Sequence, residues 1–290
     1  MKKVIVIVGP TGSGKTSLSI KLAKQFNAEI INADSVQVYQ GLNIGSAKIK
    51  EEEKQNIKHH LLDVVSLEDE YTVYHFQKDV RALIDRIEVP MIVGGTGLYI
   101  QAALYDYEFI ESKRDIDFEQ KHELESNELI YQKLIKLDPN IKIDLQNRRR
   151  LLRAYEQALL GEKRSEKKKK DQILYDALII YLDLDRTVLE QKLVQRLERQ
   201  LNDGFIDEVK KLKEQNIHVN AIGYKELDQY LEGAYTLLEA KEAIIKSSKR
   251  LAKKQKTWFK NQMNPLMLDA LSETLYEETQ LAIQSFLKEK

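Results

Sequence analysis

The apolar run Val4-Ile5-Val6-Ile7-Val8 leads directly into Gly9-Pro10-Thr11-Gly12-Ser13-Gly14-Lys15-Thr16, and no other stretch restricts the fold as tightly. The octet fits G-x-x-x-x-G-K-[ST], in which a strand ends, the backbone curls around phosphate oxygens and a helix begins. Gly9, Gly12 and Gly14 allow successive N–H groups to converge on an anion. The start of the next helix adds its positive end. Lys15 brings a full charge, and Thr16 a hydroxyl suited to Mg²⁺. A plain glycine turn would not require every motif position to be filled. The lysines ahead of the run do not make it a secretory segment, because it is too short and has no small-residue cleavage site.

Short β-branched runs recur at Ile30–Ile31, Leu61–Val65, Met91–Val93 and Ala177–Leu184. Between them, Val73, Phe76, Val80, Leu83, Ile84 and Ile87 fall at helical spacing. The alternation predicts an α/β fold: a P-loop NTPase-like parallel sheet with helices on both faces. The pattern breaks between residues 112 and 172, where Leu129, Leu134 and Leu137, then Leu151, Leu152, Tyr155 and Leu159, read as helices. Glu162 to Asp171 reads as a solvated loop. The expected organisation is a core over 1–111 and 173–290 with a helical insertion domain over 112–172. After residue 186 the pattern is helical throughout.

Lys+Arg and Asp+Glu balance at 46 each, but the balance conceals two basic segments. Residues 142–170 hold eleven Lys/Arg against four Asp/Glu, and 241–260 hold eight against one. Such segments suit an anionic partner better than the net charge suggests. There is no cysteine, which excludes disulfides, thiolate metal sites and cysteine nucleophiles. No apolar run approaches the roughly eighteen residues of a membrane helix. The expectation is a cytoplasmic protein without a membrane partner.

Phosphoryl transfer on such a loop also uses a carboxylate at the end of another strand to hold Mg²⁺. The run Pro90–Val93 ends instead in Gly94-Gly95-Thr96-Gly97-Leu98-Tyr99. Thr96 fits a helix cap and a ligand-facing hydroxyl alike. A carboxylate does follow the second strand, in Asn32-Ala33-Asp34-Ser35-Val36-Gln37. Ligands of open α/β sheets bind beyond the carboxyl ends of the strands, which sets Asp34 facing the phosphate loop. Asp34-Ser35 fits a helix cap equally well, and these residues alone leave both readings open.

GPTGSGKT, ADSVQVYQGLNIGSAK, HHLLDVV, GGTGLY, RRRLLRAYE, GFIDEV, AIGYKEL and KRLAKKQKTWF follow one another between Val4 and Phe259. In that order they resemble the bacterial tRNA dimethylallyltransferases, the tRNA isopentenyl-pyrophosphate transferase family. The resemblance implies a P-loop core with a helical insertion and a likeness of reaction. A dimethylallyl group would pass from dimethylallyl diphosphate to N6 of the adenosine 3′ of the anticodon, in tRNAs reading U-starting codons. Pyrophosphate would leave, with Mg²⁺ as cofactor. The partners would be dimethylallyl diphosphate and the tRNA anticodon stem-loop; for the oligomeric state, a monomer is the default expectation. The missing carboxylate then makes sense, because no water has to be activated.

Residue by residue, the resemblance places the diphosphate on Gly9, Pro10, Thr11, Gly12, Ser13, Gly14, Lys15 and Thr16, with Thr16 on Mg²⁺. Lys15 and Arg196 would stabilise the leaving pyrophosphate. Asp34 would bind N6 and take its proton, with Ser35, Val36 and Gln37 lining the adenine site and Thr96 beside the target base. Gln146, Asn147, Arg148, Arg149 and Arg150 match a tRNA-contacting stretch, as does Ala221–Glu226 with Gly223, Tyr224 and Lys225. The base must leave its stack to reach such a cleft, which anticodon loops permit. Lys246, Lys249, Lys253, Lys256 and Lys260, spaced 3, 4, 3 and 4, share one helix face suited to phosphates. Ile244, Leu251 and Trp258 read as the buried stripe of that helix.

The insertion is shorter than is usual in the family. It lacks an arginine near Phe118–Leu124, where Lys121 is the nearest cation, and the linker has no His-Pro. Three other readings compete. A P-loop small-molecule kinase is opposed by the absent carboxylate. An adenylate isopentenyltransferase acting on free nucleotide has no use for a basic insertion and a lysine stripe. A non-catalytic RNA-binding module would not need Asp34.

Overall fold

The computed structural model describes residues 1–107, 109, 116–166 and 172–289. The chain separates into two compact units, 1–104 with 174–290, and 105–173.

The first unit is built on a six-stranded parallel sheet. β1 (Lys3–Val8) lies inside it, and Val4 to Val8 are all buried. A strand covered on both faces needs such an unbroken apolar run. β2 (Glu29–Ala33), β3 (His59–His60), β4 (Pro90–Gly94), β5 (Asp176–Asp183) and β6 (Leu266–Asp269) complete the order β3-β2-β4-β1-β5-β6. Register aligns Val8 with Gly94, and Gly94 with Ala33. The chain therefore leaves β1, β2 and β4 at one level of one edge, and the three segments that follow emerge side by side.

Two strand expectations are corrected. β3 occupies His59–His60 rather than Leu61–Val65. Leu61 and Asp63 have φ of 60° and 55°, which breaks an extended run, and Val65 joins only an isolated bridge with Tyr39. The chain after residue 186 is also not wholly helical, because β6 pairs with β5 from Leu266 to Asp269. Four partly exposed residues on an edge strand leave little periodic signal.

α1 (Lys15–Phe26) follows β1. α2 (Val73–Arg86) buries Phe76, Val80, Leu83 and Ile84, the helical spacing read from sequence. It packs on α3 (Gly97–Leu104): Phe76 stacks on Tyr99 at 4.5 Å, and Gln77 Nε2 donates to the Ala102 carbonyl at 2.8 Å.

The second unit is helical. Tyr105 and Ile173 form an antiparallel bridge where the chain enters and leaves it. α4 (Ile116–Lys121) precedes α5 (Asn127–Leu137) and α6 (Arg148–Leu159). The Ser126 and Asn147 side chains cap α5 and α6 by accepting the N–H groups of Leu129 and Arg150. Ile130, Leu134, Ile141, Leu151 and Leu152 form its core. The expected boundary at 111–112 and the lysines at 167–170 lie outside the described residues.

α7 (Arg186–Asn202), α8 (Phe205–Glu214), α9 (Tyr224–Leu231), α10 (Leu237–Gln262) and α11 (Leu275–Lys288) return to the first unit. α10 buries Ala240, Ile244, Ala252 and Phe259, whereas Leu251 is 43% exposed, so the expected stripe is corrected. A heptad repeat drifts by roughly 20° per turn of the pattern on a straight helix. α10 also changes partners along its length: Ile244 joins the cluster around Phe205 and Tyr224, Ala252 meets Leu189 and Leu193 of α7, and Phe259 meets Tyr181 of β5 at 5.8 Å. Among the described residues no helix is long and apolar enough to cross a membrane.

Candidate active site at the carboxyl edge of the sheet

The phosphate loop curls as its motif requires. Gly14 caps α1 in the left-handed region, with φ of 82°, which glycine adopts without strain. The Ser13 N–H closes the turn on the Pro10 carbonyl. Two polar groups are left wanting. Ser13 Oγ is buried and has no hydrogen-bond partner among the described residues, a rare condition for a buried hydroxyl. Among the described residues, Lys15 Nζ reaches only the Pro10 carbonyl, at 2.8 Å. Burial, and then Arg196, push its ammonium from an ordinary 10.5 down to about 8, against the pull of Asp34. A cation so placed favours an anionic guest. Thr16 lies exposed in the first turn of α1.

Asp34 follows β2 directly, but no helix follows it, so the cap reading is replaced by a tighter turn. Its Oδ1 accepts the Val36 N–H at 2.8 Å, and its own N–H donates to Asn32 Oδ1 at 3.2 Å. Asn32 Nδ2 in turn donates to the Leu61 carbonyl at 2.9 Å. Asp34 Oδ2 has no hydrogen-bond partner among the described residues and stays available. Arg196 comes from α7 and donates through Nη2 to the Ser46 carbonyl at 3.2 Å. Burial pushes the guanidinium down, Asp34 opposes this, and Arg199 adds to it. Lys15, Arg196 and Asp34 thus feel one another across a single cleft.

Gln37 donates through Nε2 to the same Ser46 carbonyl, at 3.1 Å. Ser35 is half-buried, and Val36 packs beside Leu42 and Phe205. The Thr96 N–H donates to the Ala33 carbonyl at 3.2 Å, which sets Thr96 next to Asp34. α10 closes this corner. Gln255 Nε2 donates to the Gly95 carbonyl at 2.9 Å. Trp258 lies against Gly97, where a Cβ would come within 2.3 Å of the ring.

Other sequence-derived site residues are placed elsewhere or engaged differently. Tyr224 is buried in the core, its hydroxyl on Glu208 at 2.7 Å, and the Gly223 N–H is taken by Glu226. Lys225 is exposed, 3.6 Å from Glu226. In the second unit, Arg148 donates to the carbonyls of His122, Glu123 and Glu125 and to the Asn127 side chain. Asn147 caps α6, while Gln146, Arg149 and Arg150 are exposed. On α10, Lys249 pairs with Glu190 at 2.5 Å and Lys256 with Asp183 at 2.6 Å. The outward basic residues are therefore Lys246, Arg250, Lys253, Lys254 and Lys260.

Sequence reasoning passed over several residues here. β5 also ends in a carboxylate, Asp183, visible in ALIIYLDL, and Lys256 neutralises it. Tyr99, stacked on Phe76, has its hydroxyl pushed up to about 12 by burial, then by Tyr39 and Asp34. Glu208 lies inside GFIDEV and Gln200 four residues before it, and neither carried a signal of its own. Among the described residues no group of three or more His, Asp or Glu could hold a metal ion.

Known proteins resemble this chain along nearly its whole length. A family model described as IPP transferase matches residues 37–262. The tRNA dimethylallyltransferase of Acholeplasma laidlawii is 51% identical over 287 residues, covering 99% of each chain. The crystal structure of a tRNA delta(2)-isopentenylpyrophosphate transferase from Staphylococcus epidermidis is 36% identical, with a TM-score of 0.74 over 98% of this chain and 99% of that one. A eukaryotic dimethylallyltransferase, solved in crystallographic snapshots acting on tRNA, is 30% identical with a TM-score of 0.83, covering 98% of this chain and 78% of that one.

Proposed function

The chain belongs to the IPP transferase family, and on that premise we propose that it is a tRNA-modifying prenyltransferase acting through the cleft just described. It transfers a dimethylallyl group from dimethylallyl diphosphate to N6 of the adenosine 3′ of the anticodon, in tRNAs reading U-starting codons. The observation that carries this reading is the convergence of two cations, Lys15 and Arg196, on one carboxylate, Asp34, at the open edge of the sheet.

Each group has a task. The bond from the allylic carbon to the diphosphate oxygen breaks as the bond to N6 forms, and negative charge grows on the departing pyrophosphate. The N–H groups of residues 12 and 14–16, Ser13 Oγ, Lys15 and Arg196 stabilise that charge, and such fixed charge stabilisation supplies the largest share of rate enhancement in many enzymes. The free Asp34 Oδ2 accepts the N6–H, orients the amine and takes its proton. The exposed Thr16 hydroxyl would hold Mg²⁺, an ion that uses few protein ligands, and the ion would supply neutralisation of phosphate charge. The exposed cations of α10, with Arg149 and Arg150, supply contacts to the tRNA backbone.

Incubation with radiolabelled dimethylallyl diphosphate and an unmodified anticodon stem-loop tests the proposal. Label is expected in N6-substituted adenosine, with free AMP a poor acceptor. Label on AMP alone, or phosphate released from ATP without prenyl transfer, would contradict it.

A further inference from the structure

Glu208, in the first turn of α8, reaches the segment 43–46 that follows the Asp34 turn. Its Oε2 accepts the N–H groups of Asn43 and Ile44 at 3.1 and 2.8 Å. Its Oε1 accepts the Gly45 N–H at 3.0 Å and the Tyr224 hydroxyl at 2.7 Å. The Tyr224 oxygen also faces the N–H groups of Ser46 and Gly45. Successive N–H groups turned to one side form an anion nest, and here the anion is the protein's own carboxylate.

Gln200 takes the carbonyls of the same segment. Its Nε2 donates to the carbonyls of Ile44 and Gly45 at 2.7 and 2.9 Å. With its N–H groups held by Glu208 and its carbonyls by Gln200, the segment has little freedom. What it presents is the Ser46 carbonyl, the shared acceptor of Arg196 and Gln37. Arg196 and Gln200 stand four residues apart on α7, so they rise from one face of that helix.

We propose that Glu208 and Gln200 are positioning residues: they fix residues 43–46 so that the Ser46 carbonyl holds Arg196 in place beside Lys15. The proposal rests on the reading in which Arg196 grips the leaving pyrophosphate. A free arginine side chain samples many rotamers, and a misplacement of about 1 Å at a reacting centre can cost on the order of a hundredfold in rate. A carboxylate that served folding alone would leave the grip on pyrophosphate unchanged in the molecules that fold.

Glu208→Gln replaces one acceptor oxygen with a donor that faces the N–H groups. Gln200→Leu removes the donor to the carbonyls and serves if the first variant does not fold. The full chain, with Mg²⁺, is assayed for the inhibition constant of pyrophosphate and for kcat, alone and with Arg196→Ala, with thermal melts alongside. Either variant is expected to raise the pyrophosphate constant about tenfold, yet less than about twofold further once Arg196 is alanine. A lowered kcat with an unchanged pyrophosphate constant, or an undiminished effect on top of Arg196→Ala, overturns this proposal alone. If Arg196→Ala by itself leaves the constant unchanged, the reading of Arg196 falls, and this proposal with it.

Discussion

The phosphate loop and the segment from Asp34 to Ser46 leave the same edge of the sheet, yet they are held by opposite means. The phosphate loop is shaped by its own consecutive residues, and its polar groups, Ser13 Oγ and the Lys15 ammonium, are left under-satisfied. The far end of the 34–46 segment, at residues 43–45, is held by side chains from far along the chain, Gln200 and Glu208, which meet its backbone groups. The first is built to receive a ligand. The second is built to stay still while holding residues that touch one.

That contrast can be broken by substitution. Lys15→Ala removes the cation from the empty cradle and is expected to lower kcat/KM by about a hundredfold or more, measured in the prenyl-transfer assay. A smaller loss would move the burden of charge to Arg196.

The pH dependence comes next. Lys15 titrates near 8 in the free chain, below its ordinary 10.5. Below that value it is charged and ready for the diphosphate, and bound diphosphate raises its pKa. Pyrophosphate affinity therefore falls by up to about tenfold per unit as pH rises above about 8, as calorimetry across that range would report. Without ligand the sign reverses for stability. The unfolded chain holds more protons between about 8 and 10.5, so stability rises with pH in that window.

Deleting one hydroxyl in the phosphate loop and one that supports the 34–46 segment through Glu208 sharpens the comparison. Tyr224→Phe removes a donor to Glu208 and is expected to cost about 1 to 2 kcal/mol of stability in urea unfolding. Ser13→Ala removes an orphaned hydroxyl, so stability should hold or improve while pyrophosphate affinity drops severalfold. The same stability loss in both would erase the distinction. The smallest effect is expected on α10, where Leu251→Gln should change stability by less than about 0.5 kcal/mol. A larger loss would restore the stripe read from the sequence.

The same difference decides what the sequence discloses. Val4–Thr16 is legible because its strand, turn and helix start are set by neighbouring residues. α2 is legible through an apolar spacing that matches its buried face. β6 is not, since four edge residues carry no periodicity, and Leu251 misleads because α10 changes partners along its length. Asp34 could be placed at the edge by position, but its cap and turn readings separated only when no helix followed it. Arg196 stands 162 residues from Asp34 in the chain, so only the resemblance named it. Glu208 and Gln200 act on backbone groups, which leave no side-chain pattern to read.

The central claim is that Asp34 takes the N6 proton. Asp34→Asn keeps the shape of the turn and removes the base, and single-turnover transfer from labelled dimethylallyl diphosphate to bound anticodon stem-loop measures the consequence. A loss of about a hundredfold or more in transfer rate is expected, with stem-loop and pyrophosphate affinities unchanged. Transfer at the unmodified rate, or a rate that falls only in step with stem-loop affinity, would contradict it.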